Sequence, residues 1–176
     1  MNLALRLNIY TLRKFLSSFF LLSFLFVNAE LWAQAHEQGD INLSPGINFG
    51  NYKYHGPDFG LSLIFYADFS PHDYASVGPY FGTVISSGTA FDFGARGNFH
   101  AWQFIDDRVE DDLRADILDI YFSLYVGAEV SNYYKSRARG GAMFGLRWYF
   151  VESVALMFEV GAPPVGFTTI GVSFKL

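Results

Sequence analysis

Cysteine is absent from the 176 residues. That excludes a disulfide framework, a thiolate nucleophile and any metal site built on sulfur, and it leaves an oxidising compartment open. Charge is scarce too: 16% of residues are charged, against 51% hydrophobic and 19% aromatic. This is too aromatic and too poor in charge for an average soluble domain. Yet nothing after residue 35 approaches the run of about 18 apolar residues that a spanning helix needs. Apolar content divided among many short stretches fits membrane-crossing strands instead. The net charge is -5, and residues 1–35 carry Arg6, Arg13, Lys14 and Glu30, so the remainder stands near -7. That balance argues against nucleic acid as a partner.

Residues 1–35 have the layout of a cleaved secretory signal peptide. Arg6, Arg13 and Lys14 supply a basic start, and Phe15 to Val27 is an apolar run too short to span. Ala33-Gln34-Ala35 is a small-x-small cleavage site, with Val27-Asn28-Ala29 a weaker alternative. No cysteine follows the cut, so no lipoprotein anchor is expected. Residues 36–176 are then expected to form one domain in the outer membrane.

Eight stretches of that domain alternate with a period of two, the spacing of a strand with two unlike faces. The last one shows the pattern. Thr168, Ile170, Val172, Phe174 and Leu176 share one parity, and Thr169, Gly171, Ser173 and Lys175 the other. The same split recurs upstream, with Phe91, Phe93, Ala95 and Phe99 set against Asp92, Gly94, Arg96, Asn98 and His100. The charges decide which parity faces in. Asp68, Asp92, Arg96, His100, Glu129, Arg147, Glu159 and Lys175 all lie with the small, polar residues. An Arg facing lipid near mid-membrane costs about 2–4 kcal/mol, so the greasy faces point out and the charges point in. The predicted fold is all-β: an eight-stranded antiparallel up-and-down transmembrane β-barrel.

An even strand count puts both termini at one end. Loops near 51–59, 86–90, 132–140 and 162–166 are expected at the outer end, and turns near 70–75, 103–118 and 151–153 at the periplasmic end. The longest connection is an inner one, against the usual pattern, and it is acidic. Ile105, Val109, Leu113 and Ile117 recur every four residues within it, which predicts a short amphipathic helix.

The interior charges are the candidate site. Arg147 and Glu159 lie on strands joined by a tight turn, and Arg96 and Glu129 lie on neighbouring strands, so each pair is expected to be close. A barrel of eight strands is just wide enough for side chains to fill it, and ionic groups inside it must pair. The expected result is a salt-bridge core that plugs the lumen, with an ion path the rival. Nine inward glycines leave some space.

No catalytic, cofactor-binding or metal-binding residues are assigned. The histidines at 36, 55, 72 and 100 are scattered, with no second ligand at helical spacing. The acidic connection lacks the glycine and the order of a calcium loop. Ser86, Ser87 and Asp92 lie near one rim, but His100 falls on the other half of its strand, and no G-x-S-x-G is present. Tyr52, Tyr54, His55, Tyr133 and Tyr134, beside Lys53, Lys135, Arg137 and Arg139, are expected in outer loops. Such loops suit lipopolysaccharide phosphates or, more simply, an aromatic girdle with cations near headgroups.

Gly145-Leu-Arg-Trp-Tyr-Phe150, Phe158-Glu-Val-Gly161 and Ile170-Gly-Val-Ser-Phe-Lys-Leu176 resemble the closing strands of the small outer-membrane β-barrel proteins, a porin-like family of Bacteroidetes-type bacteria similar in architecture to the OmpA membrane domain. Asp73 to Tyr80, Gly94 to His100 and Asp119 to Tyr121 fit the same pattern, so the likeness covers roughly residues 40–176. The resemblance implies folding by the barrel-assembly machinery, which reads the last strand. Phe174 and Leu176 would be the positions read, and Leu176 departs from the usual terminal aromatic. The family has no common catalytic activity. The expectation is therefore a non-enzymatic barrel, bathed in outer-membrane lipid, with a structural or surface-interaction role and no ligand named. A narrow pore for small solutes is the alternative, and a lipid-modifying enzyme a more distant one.

Overall fold

The computed structural model describes residues 35–51, 59–85, 89–110, 113–131, 136–162 and 167–176. Eight strands follow in chain order: β1 (Ile41–Asn51), β2 (Phe59–His72), β3 (Ala75–Ile85), β4 (Thr89–His100), β5 (Leu118–Ser131), β6 (Arg137–Val151), β7 (Val154–Ala162) and β8 (Thr168–Lys175). Each pairs antiparallel with its sequence neighbours, and β8 returns to β1, with Gly46 opposite Gly171 and Ile47 opposite Ile170. The barrel is closed, so no strand presents an unpaired edge.

The pleat turns the sequence parity into two surfaces. Leu63, Phe65, Phe81, Phe93, Phe99, Phe122, Leu124, Phe144 and Phe158 lie outside with their side chains exposed. Asn42, Ser44, Ser62, Asp68, Asp92, Arg96, His100, Glu129, Arg147 and Glu159 lie inside and are buried. This is the reverse of a water-soluble barrel, whose apolar side chains gather within.

Small inward residues are spent on close approach. Tyr121 stands opposite Gly145 on β5 and β6, and its ring occupies the space that a Cβ on Gly145 would fill. Gly94 and Gly127 face each other on β4 and β5, and Tyr80 from β3 closes over both. Large rings thus lie across glycine gaps, and a narrow lumen takes both tyrosines there without displacing the strands.

Two local expectations are corrected. The amphipathic helix over Ile105–Ile117 does not form. A helix, α1, occupies only Ala101–Asp106. Asp106 then accepts a hydrogen bond from the Leu113 backbone N–H at 2.8 Å, and Arg114 adopts a φ of 60°, so the chain doubles back rather than continuing the helix. The four-residue spacing of Ile105 and Val109 leaves both exposed. The outer loop expected over 132–140 is also shorter, because β6 begins at Arg137. Arg137 and Arg139 keep the inward parity of that strand, opposite Glu129 and Gly127. They are strand residues at the barrel mouth and not loop ligands.

The start of β1 and the end of β8 share one end of the barrel with the β2–β3, β4–β5 and β6–β7 connections. At that end Tyr74 donates to Asp107 at 2.7 Å, and the neighbouring carboxylate holds the phenol above its ordinary pKa. The signal-peptide residues before 35, and the loop residues Tyr52, Lys53, Tyr54, His55, Ser86, Ser87, Tyr133, Tyr134 and Lys135, lie outside the described residues.

Candidate functional site

The lumen is the site, and an ionic lattice fills its middle. Arg96 projects inward from β4 and grips Asp68 of β2 with both edges of its guanidinium: Nε donates to Oδ1 at 2.7 Å and Nη2 pairs with Oδ2. Its Nη1 donates to Glu159 of β7 at 2.8 Å and to the Tyr125 hydroxyl at 3.0 Å. The face of the same guanidinium covers the Tyr66 ring, with Cζ 3.6 Å from the centroid. Arg147 of β6 donates to Asp68 at 2.8 Å and reaches Asp119 of β5 at 3.4 Å. Asp68 therefore bridges two arginines.

Glu159 is saturated. Besides Arg96 it accepts from Tyr121 at 2.7 Å, from Tyr66 at 2.9 Å and from Tyr125 at 3.4 Å. An ionised carboxylate is an acceptor only, and four donors from three strands, β2, β4 and β5, satisfy both oxygens. The side chains of Arg96, Arg147, Asp68 and Glu159 are all 0% exposed. Charges taken out of water this completely are held only by such mutual pairing.

This pairing differs from the sequence expectation. Arg147 bonds Asp68 and Asp119 rather than Glu159, and Arg96 bonds Asp68 and Glu159 rather than Glu129. The register explains it. Arg96 stands opposite Tyr125, four residues from Glu129, which is about 13 Å along a strand. Arg147 stands opposite Met157, while Glu159 faces Gly145. Glu129 belongs to a separate cluster at the mouth far from the termini, where it pairs with Arg139 and, at 3.4 Å, with Arg137. Asp68 and Asp119 are the essential members that the sequence search did not single out. Asp68 was visible only as one more acidic residue on the inward parity, and Asp119 only as an acidic residue at the end of the inner connection.

A second constellation lies nearer the termini. His100 Nδ1 is 2.8 Å from Asp119, and its Nε2 is 2.9 Å from the Ser76 hydroxyl. Asn98 donates to Ser76 at 2.8 Å and accepts from Ser123 at 2.5 Å. Ser, His and Asp thus have the connectivity of a nucleophilic triad, which the search over Ser86, Ser87 and Asp92 did not reach. Ser76 and His100 are both fully buried, and the Asn98 amide occupies the Ser76 oxygen. The arrangement works as a directed hydrogen-bond chain, Ser123 to Asn98 to Ser76 to His100 to Asp119, that fixes the imidazole between two strands. His36, expected to be isolated, stacks on His100 with ring centroids 3.4 Å apart.

Among the described residues, no cluster of His, Asp and Glu is arranged to hold a metal ion. On the outside, Phe174 and Leu176 are exposed at the end of the barrel, Leu176 the more so at 73%.

No protein-family model matches the chain, and no curated protein matches it. Solved structures do. A de novo designed transmembrane β-barrel is 15% identical with a TM-score of 0.53, over 80% of this chain and 99% of that one. The N-terminal β-barrel domain of Pseudomonas aeruginosa OprF is 12% identical with a TM-score of 0.52, over 79% of this chain and 98% of that one. Neisserial surface protein A is 10% identical with a TM-score of 0.51, over 78% and 96%. At these identities the likeness is one of fold. A designed barrel matches as well as natural ones, so the shared architecture by itself carries no activity.

Proposed function

We propose that the chain is an integral outer-membrane β-barrel protein whose role is non-enzymatic, either in envelope integrity or as a surface-interaction scaffold. The observation that carries this reading is the inversion of the two faces: phenylalanine and leucine outward around a closed barrel, arginine and carboxylates buried within it. Only a hydrocarbon surround makes the outer surface favourable. The eight-stranded outer-membrane barrels that share its fold support the same placement. A Bacteroidetes-type origin, export by a signal peptide cleaved after Ala35, and recognition of Phe174 and Leu176 by the assembly machinery complete the proposal. The exposure of both C-terminal side chains is consistent with that last step.

The ionic lattice favours a plug over a pore. Arg96, Arg147, Tyr66, Tyr121 and Tyr149 are among the largest fully buried side chains, and all point into the lumen. The test is heat modifiability in fractionated envelopes. A band in the outer-membrane fraction that runs faster unboiled than boiled is expected. Soluble protein with no such shift would overturn the proposal.

A further inference from the structure

The β4–β5 connection turns over the rim of the barrel as soon as β4 ends. Phe99 is the last outward side chain of β4 and is 44% exposed. Phe104 of α1 lies against it, with ring centroids 5.6 Å apart, and meets Tyr74 of the β2–β3 turn edge-on at 5.5 Å. Polar bonds hold α1 in this place. Gln103 is buried and donates to Asp107 at 3.0 Å, and Asp107 also accepts from Tyr74. Trp102 donates its indole N–H to the Leu113 carbonyl at 2.9 Å, which ties α1 to the returning chain. The outward aromatic surface of β4 therefore continues into the connection.

Backbone bonds from Asp107 to Gln103, from Arg108 to Ile105 and from Val109 to Asp106 prolong the coil past α1. Phe104, Ile105, Arg108 and Val109 follow at i, i+1, i+4 and i+5, the spacing of one helical face. Ile105 and Val109 both stand exposed. Aliphatic side chains open beside an aromatic pair are unfavourable in water and favourable where acyl chains begin. The Arg108 guanidinium lies over the Phe104 ring, with Cζ 3.6 Å from the centroid, and its Nη1 donates to the Phe104 carbonyl at 2.8 Å. Its side chain follows apolar surface while the residue stays exposed, the posture of a cation at the edge of a bilayer. The charges around it are mostly carboxylates, since residues 101–117 hold six acids and two arginines. An anionic membrane repels such a segment, whereas a headgroup with both a phosphate and an ammonium matches it.

We propose that residues 104–109 are a membrane-interface element. Phe104, Ile105 and Val109 enter the acyl boundary of the leaflet at this end of the barrel, and Arg108 binds the phosphate of a zwitterionic phospholipid there. The inference rests on the reading of the outer face as lipid-facing and deepens it. Phe99 and Phe104 form one surface, so what covers the first covers the second. The element fixes the depth of the barrel at this rim. Movement one way would draw Ile105 and Val109 into water, and movement the other way would draw Arg108 into hydrocarbon.

The chain has no cysteine, so single nitroxide labels are placed at Ile105→Cys, Val109→Cys, Leu124→Cys and Glu152→Cys. Leu124 on the outer face is the lipid reference, and Glu152, exposed in the β6–β7 turn at the same end, is the water reference. The protein is folded into phosphatidylcholine vesicles. Electron resonance then reads how far each label meets oxygen, which partitions into lipid, and a nickel chelate, which stays in water. The Ile105 and Val109 labels should resemble the Leu124 label and exceed the Glu152 label several-fold in the oxygen-to-chelate ratio. Phosphatidylglycerol vesicles should lower that ratio at Ile105 and Val109, and an undiminished ratio there overturns the zwitterionic headgroup. Arg108→Gln should lower the Val109 ratio in phospholipid and leave it unchanged in maltoside micelles, which have no phosphate. An equal fall in both media would show a purely structural arginine and overturn the phosphate contact. Spin–spin broadening that disappears on dilution with unlabelled protein would seat a second copy of the chain on this face instead of lipid. A lipid-like Leu124 label with water-like Ile105 and Val109 labels refutes the interface element alone. A water-like Leu124 label refutes the barrel reading beneath it.

Discussion

Arg96 and Glu159 meet at 2.8 Å across the lumen from β4 and β7, two strands that share no backbone hydrogen bond. The contact ties opposite walls of the barrel together, and Asp68 of β2 and the Tyr66, Tyr121 and Tyr125 hydroxyls complete it. Its strength therefore depends on closure of the barrel, and the barrel's interior order depends on it.

Glu159→Gln should be costly. It leaves Arg96 buried with half of its compensation, and removing one partner of a buried pair typically costs about 3–5 kcal/mol. Urea unfolding in micelles, read by gel mobility, should show the midpoint falling. Replacing both partners together, Arg96→Met with Glu159→Leu, should recover part of the loss, because no uncompensated charge remains.

Arg139→Ala should cost far less. Its side chain is 23% exposed at the barrel mouth, so water already screens its pair with Glu129. A loss of at most about 1 kcal/mol in the same assay is expected. A loss equal to that of Glu159→Gln would show the mouth cluster to be as desolvated as the middle lattice.

Arg147→Ala separates plug from pore. Arg147 holds Asp68 and Asp119 and its side chain is fully buried, so lowered stability without a steady conductance is expected of a plug. Planar-bilayer recording checks this. An increased or ion-selective current would favour the pore alternative.

Gly145→Ala is sterically small yet should destabilise. The added Cβ collides with the Tyr121 ring, which must swing away and release its 2.7 Å bond to Glu159. Overpacking of this kind costs about 1–3 kcal/mol. A companion Tyr121→Leu, which vacates the space, should make the glycine dispensable in thermal melts.

Leu124→Arg tests the outer face. Leu124 is 58% exposed on β5, among the outward apolar side chains. The substitution should cost about 2–4 kcal/mol for folding into a lipid bilayer near its midplane. A negligible cost there would mean that this face does not meet lipid.

The two surfaces of the barrel were legible in the chain because a strand has a period of two and charge tolerates only one side of it. Arg96, Glu129, Arg147 and Glu159 were placed on the inward side by that rule, and each lies there. What could not be read was which of them meet. The expected pairs came from strand adjacency, but in a lumen this narrow the near neighbour of a side chain is often the opposite wall.

The acidic connection shows the same boundary from the other direction. Four-residue spacing of Ile105, Val109, Leu113 and Ile117 suggested a helix, and the tertiary structure ended it at Asp106. That carboxylate turns to the Leu113 backbone N–H instead, a local bond that competes with helical propagation. His36 is the further case. Nothing in its sequence neighbourhood marks it as buried.

The sequence by itself determined the eight strands, the faces they present and the residues that enter the lumen, because alternation and charge are properties of single strands. Only the tertiary structure decided the ionic partners, the Ser76–His100–Asp119 chain and the stacking of His36 on His100. These depend on closure of β1 on β8 and on the register of every ladder between, which together fix which side chains arrive at the same height inside the barrel.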